Sequence, residues 1–139
     1  MTRTDRSKGV DPARADGFAE LGRRLLHAGR TIRELGDPRH ASALAILAVH
    51  AAIGYADAVC VRRGGRKSSS ADHAAAVRLL RAILRTDLPA RIERDLGRLL
   101  AEKDRLEYEG AAVRQEEAER LFDVAERVGA WAEGVLAGG

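Results

Sequence analysis

The sequence predicts an all-α fold: an up-and-down antiparallel bundle of about five helices in a single domain. Three observations predict it. Ala, Leu, Arg and Glu dominate while aromatics make up only 4% of the chain, the balance of a helix-rich sequence. Apolar residues recur three and four positions apart over long segments, and no run of alternating β-branched residues lasts four positions. Pro and Gly punctuate the junctions between those segments, where helices start and stop.

Met1 to Val10 is polar and aperiodic and reads as a flexible tail, leaving 11–139 for the helical domain. Asp11-Pro12 offers a capping side chain followed by a proline at the first helical position. Phe18, Leu21, Leu25, Ala28, Ile32 and Leu35 then form one apolar stripe, which predicts a first helix ending at Gly36. Asp37-Pro38 repeats the start signal, and the second helix runs to about Arg63, with Gly64 available for the left-handed C-terminal position. Its many alanines let neighbours approach on several sides, so it is expected to be the central helix.

One of Ser68, Ser69 and Ser70 caps a third helix, with Asp72 in a capping-box position after Ser69 and Ala76, Val77, Leu80, Ile83 and Leu84 facing inward. Thr86 or Asp87 caps a fourth, whose buried positions are Leu88, Ile92, Leu96, Leu99, Leu100 and Leu106 and whose end is Gly110. The fifth spans roughly Val113 to Leu136 and buries Ala118, Leu121, Phe122, Ala125, Val128, Ala132 and Val135, with Trp131 at the edge of the stripe. Short connections favour antiparallel neighbours.

A chain of 139 residues is long enough for one substantial core. The apolar segment Ala41 to Val61 contains His50, Asp57 and many alanines, which argues for a buried bundle helix and no membrane span. The lone Cys60 and an N-terminus without the basic-then-apolar layout of a signal peptide place the protein in the cytoplasm. Of 24 basic residues only Lys8, Lys67 and Lys103 are lysine. Residues 1–100 carry a net charge of +8 and residues 101–139 a net of −5, an electrically two-ended chain.

Three segments carry a resemblance. The small-residue-rich stretch Ala48-Val49-His50-Ala51-Ala52-Ile53-Gly54-Tyr55-Ala56-Asp57-Ala58 is followed by a glycine-bearing loop with Ser70-Ala71-Asp72-His73 opening the next helix, and then by Leu99 to Glu109, where basic residues precede an acidic-Tyr pair. Across roughly residues 40–136 this order resembles the HEPN domain, a small helical module of bacterial toxin–antitoxin, defence and nucleotidyltransferase-associated proteins. The resemblance implies a bundle that dimerises with its functional cleft between subunits. Some such domains are metal-independent ribonucleases with an Arg-x(4–6)-His motif; others lack it and serve as binding or scaffolding partners.

Arg66 and His73 match Arg-x6-His. As catalytic residues, Arg66 would hold a scissile phosphate and His73 would move the proton of an RNA 2′-hydroxyl. With 21 arginines in the chain the pattern also arises at Arg33 and His40, across a helix junction. The match therefore adds no weight to catalysis, and the position departs from nuclease members, so His73 is read first as an ordinary first-turn residue.

Arg62, Arg63, Arg66, Lys67, Arg78, Arg81 and Arg85 face a single acid, Asp72, within residues 62–85. Such a stripe suits salt-sensitive phosphate tracking on RNA, although no aromatic lies between Tyr55 and Tyr108 to stack on bases. A solvated face, or one meeting a partner subunit's acidic helices, is the competing reading. His50 and Asp57, two turns apart on the central helix, are cleft or interface candidates together with Tyr55, Lys103 and Tyr108; the competing reading gives them hydrogen bonds inside the bundle or at a dimer seam. No metal-ligand spacing, phosphate-cradling glycine loop or Gly-x-Ser-x-Gly occurs, so no cofactor is expected. The expectation is a HEPN-like binding or regulatory module, a homodimer with a nucleotide or RNA ligand. The alternatives are a ribonuclease toxin using Arg66 and His73, and a purely protein-binding partner of an antitoxin or nucleotidyltransferase.

Overall fold

Two Asp-Pro steps set where the first helices begin. Asp11 and Asp37 each turn a side-chain oxygen onto an N–H two residues on, accepting from Ala13 and Arg39 at 2.9 Å. Each then leads into a 3-10 turn, Pro12–Arg14 or Pro38–His40. The computed structural model describes residues 6–70, 72, 74–108 and 112–138. Its elements are β1 (Ser7–Gly9), α1 (Ala15–Leu35), α2 (Ala41–Gly64), β2 (Arg66–Ser68), α3 (Ala74–Leu84), α4 (Ala90–Tyr108) and α5 (Gln115–Ala137), with a 3-10 turn at Arg85–Asp87 before α4. The architecture is a five-helix bundle carrying a small two-stranded sheet.

Helix α2 is the hub, unbroken through Gly54 and in contact with each of the other four helices. Leu44, Ala48, Ala52, Ala58 and Val59 are fully buried within it. It is also long and apolar enough to cross a membrane, but 72% of its apolar window is buried by the rest of the fold. Close approach depends on small residues: a Cβ on Gly54 would lie 3.2 Å from the carbonyl oxygen of Phe18 and 3.3 Å from the backbone nitrogen of Gly22. Helices α1 and α2 therefore cross backbone against backbone.

That crossing rotates α1 away from the expected stripe. The buried face is Ala15, Ala19, Gly22, Leu26 and Gly29, whereas Leu21 is 51% exposed and Leu35 66%. Phe18, Leu25 and Ile32 are only half-buried. The periodicity was legible, but packing against an alanine-rich partner selects the small-residue face, since it permits the shortest interaxial distance. The larger side chains are left along the rim.

The segment read as a flexible tail is structured from Arg6 onward. Ser7–Gly9 pairs antiparallel with Arg66–Ser68, opposing Lys8 to Lys67. The ladder is extended by Val10 N–H to the Gly65 carbonyl (2.9 Å) and Ser69 N–H to the Arg6 carbonyl (3.1 Å). Val10 is buried with Ala15 and Val61, which anchors the strand. Three residues are too few for a periodic signal, and the pairing partner lies nearly sixty residues away. The helix stop also differs by one position: Gly65, at φ +62°, takes the left-handed place, while Gly64 is the last residue of α2, where Ile83 fills the space of its missing Cβ.

At α3, Asp72 caps the helix, accepting from Ala74 N–H at 3.0 Å, and Ser70 Oγ accepts from Asp72 N–H at 3.2 Å, so the expected residues take part with Asp72 in the capping place. At α4, Pro89 precedes the helix after the 3-10 turn, beyond the expected Thr86 and Asp87. Part of the charge asymmetry of the sequence is met within the chain. Arg23, Arg30 and Arg33 of α1 pair with Glu133, Glu126 and Asp123 of α5, and Arg105 and Arg127 pair with Glu117 and Asp95.

Candidate functional site

One row of α2 escapes full cover: Ile46, His50 and Ile53 are half-buried, with Asp57 next in line. Spacings of four, three and four put them on one side of the helix. On one flank stands α1; on the other, β2, the start of α3 and α4 enclose a cleft of about 420 Å³ lined by His50, Ile53, Asp57, Lys67, Ser68, Ser70, Asp72, Ala76, Leu100 and Lys103.

Three elements bring charge to this cleft. Alternation along β2 turns Lys67 toward α2 and leaves Arg66 exposed, so the Lys67 ammonium lies 3.5 Å from the Asp57 carboxylate. The same ammonium stands 5.7 Å over the Phe18 ring. From α4, Glu107 accepts a hydrogen bond from His50 Nε2 at 2.6 Å and receives Lys103 at 3.4 Å. Burial pushes the Asp57 carboxyl above its ordinary value, and Lys67 and, more weakly, Lys8 oppose that rise. Glu107 is held below its ordinary value, chiefly by the His50 hydrogen bond. The arrangement presents ammonium groups, an imidazole and serine hydroxyls around an apolar floor, a chemistry suited to anionic oxygen.

The structure therefore unites His50, Asp57, Lys67 and Lys103. Tyr55 goes elsewhere: it is 3% exposed, and its hydroxyl donates to Glu133 at 3.0 Å between α1 and α5. His73 and the side chain of Tyr108 lie outside the described residues, so the Arg66–His73 pair has no geometry to report. Arg62 donates to the Leu136 carbonyl at 3.2 Å. Arg63 pairs with Asp87 (3.1 Å), Arg78 with Asp72 (2.8 Å) and Arg81, through two hydrogen bonds, with Glu93 (2.8 and 2.9 Å). Asp87 and Glu93 come from beyond the basic stretch, which is why the stripe looked unmatched in sequence. Arg85 and Arg66 make no ion pair among the described residues. Arg85 also has a φ of +52°, a rare position for an arginine at the end of α3.

Sequence reasoning missed Lys8, which opposes Lys67 on the ladder. A signal was present: all three lysines of an arginine-dominated chain belong to this one neighbourhood.

A larger cleft of about 660 Å³ lies between α1 and α5. Its arginines are committed: Arg23 makes two hydrogen bonds to Glu133 (2.7 and 2.9 Å) and Arg30 two to Glu126 (2.7 and 3.2 Å). These pairs clamp α1 to α5 at the rim of the cleft. Among the described residues no group of three His, Cys, Asp or Glu side chains is arranged to hold a metal ion.

No protein-family model matches the chain, and neither the curated proteins nor the solved structures include a significant match.

Proposed function

We propose that the chain is a HEPN-like helical binding module that acts as a homodimer and takes a nucleotide in the cleft between α2, β2 and α4. The convergence of His50, Lys67, Lys103 and the hydroxyl-bearing Ser68 and Ser70 on one cleft carries this reading. Ammonium and hydroxyl donors suit phosphate oxygens, while Ile53, Ala76 and Leu100 supply an apolar surface for a base. Three of the six arginines in the stripe that sequence assigned to RNA, Arg63, Arg78 and Arg81, already hold carboxylates, which favours a small phosphate-bearing ligand over a long strand. The unbroken small-residue hub and the helix order support the HEPN-like reading.

Dimerisation is assigned to the rim left by the rotation of α1. Phe18, Leu21 and Leu25 with Ile46, Leu47 and Ile53 line an apolar groove of about 500 Å³. Ridge and groove occupy one face, the condition for an isologous two-fold contact with a second copy. That groove shares His50, Ile53, Asp57 and Lys67 with the polar cleft, so the partner would sit beside the ligand.

Calorimetric titration with ATP, GTP, CTP and UTP tests the ligand, and light scattering tests the dimer. Binding of at least one nucleotide that is weakened by His50→Ala, with Leu21→Glu converting a 30 kDa species, about twice the 15.0 kDa chain mass, to monomer, is the expected result. A wild-type protein that binds none of the four overturns the ligand assignment, and a concentration-independent monomer overturns the dimer.

A further inference from the structure

Resting on the nucleotide reading above, we infer that Lys8, Lys67 and Lys103 together hold the ligand's di- or triphosphate chain, and that β1 is a wall of the site supplied by the N-terminal segment.

The strand register provides the main observation. Lys8 and Lys67 are direct partners across the antiparallel ladder, so both side chains stand on the same face. Like charges placed opposite each other oppose strand pairing, yet this three-residue ladder is held with that pair at its centre. Asp57 is the carboxylate that faces them, 3.5 Å from Lys67 and near enough to Lys8 for its charge to be felt. One buried carboxylate between two ammonium groups leaves positive charge over. Across the cleft Lys103 shares Glu107 with His50, and Asp72 at the rim is engaged with Arg78. Among the described residues, three lysines thus share two carboxylates, Asp57 and Glu107.

Lysine also fits the chemistry. A compact ammonium on a flexible stem swings from a protein carboxylate to a phosphate, whereas the guanidinium forks of Arg23, Arg30 and Arg81 are fixed in paired hydrogen bonds. Lys8 and Lys67, side by side on the ladder, would hold a phosphate chain from one side of the cleft and Lys103 of α4 from the other. Because Lys8 stands beside the cleft residue Lys67 only while Ser7–Gly9 is paired to Arg66–Ser68, a phosphate chain that extends from the cleft to Lys8 and the docking of the N-terminal strand would reinforce each other.

Titrations of wild type, Lys8→Ala, Lys67→Ala and Lys103→Ala with ATP and with inorganic triphosphate at fixed salt test this, with circular dichroism confirming that each variant is folded. Each variant is expected to weaken triphosphate binding roughly tenfold, the usual scale for one charge-assisted contact. Hydrogen exchange at residues 7–9 is expected to slow when triphosphate is present. If Lys67→Ala and Lys103→Ala weaken ATP binding while Lys8→Ala binds ATP and triphosphate like wild type, the lysine trio is overturned and the nucleotide reading stands. Should ATP bind with all three variants unaffected, the trio again fails alone. Wild type binding neither ATP nor triphosphate removes the trio, and wild type binding none of the four nucleotides removes the nucleotide reading with it. Should Lys67→Ala fail to fold, Lys8→Ala and the exchange measurement decide the matter.

Discussion

The ring of Phe122 on α5 occupies the space where Gly29 on α1 lacks a side chain: a Cβ built there would sit 2.1 Å from the ring's Cε1. The Arg33 guanidinium, one turn further along α1, lies over the same ring, 4.9 Å from its centroid. The contact joins the two ends of the chain, and neither helix shows it in its own periodicity.

Gly29→Ala is therefore expected to destabilise the fold by about 1–3 kcal/mol despite alanine's better helix propensity, since a fully buried ring must move. Gly17→Ala, where a Cβ meets nothing within 4 Å, is expected to stabilise by roughly 0.5–1 kcal/mol. Thermal denaturation of the two variants checks the pair; equal shifts of the same sign would refute the packing assignment.

Acid should loosen the α1–α5 clamp. The guanidinium of Arg23 holds Glu133 below its ordinary 4.5, with Tyr55 adding to the effect. A depressed folded-state value means the stabilisation is present above 4.5 and disappears as pH falls through the lower value. Glu107, lowered by His50, and Glu20, lowered by Arg23, act in the same direction. Melting temperature is expected to drop below about pH 4.5, and less steeply in Glu133→Gln. Parallel declines for wild type and variant would show that Glu133 contributes nothing.

Asp57 acts in the opposite sense, since burial raises its carboxyl above the ordinary 3.8. The charged form is disfavoured in the fold, so stability declines as pH rises from the ordinary value through the raised one. In the ligand-binding reading it also competes for Lys67. Asp57→Asn is expected to tighten ATP binding several-fold by freeing that ammonium. Calorimetry decides, and weaker binding would identify Asp57 as a ligand contact.

Cys60 should be inert. Burial, with a smaller push from Asp57, raises its thiol to about 12, and it is 2% exposed. A disulfide reagent at neutral pH is expected to label the native protein only at the rate of its unfolding, because the thiolate is scarce and enclosed. Prompt labelling, unchanged by conditions that alter stability, would show that α2 opens locally.

Helix number, order and approximate ends were legible because they depend on local chemistry. Asp11-Pro12, Asp37-Pro38, the glycine after α1 and three-four apolar spacing act within a few residues of themselves. Helix α2 was recognisable as the hub from its alanines. In the candidate cleft, His50, Asp57, Lys67 and Lys103 were each singled out, and their convergence was not, since it depends on where β2 and α4 dock.

Tertiary structure decided everything that joins distant segments. Packing on small residues chose Ala15, Ala19, Gly22 and Leu26 as the inward face of α1 and left Leu21 on the rim. Strand pairing brought Lys8 opposite Lys67, and helix docking gave the arginines of α1 the carboxylates of α5. By itself the sequence determined the helices and the axial placement of each side chain along them. Their rotation and charge pairing were left to the assembled bundle, because close packing and Coulomb attraction act across space and carry no periodic signal along the chain.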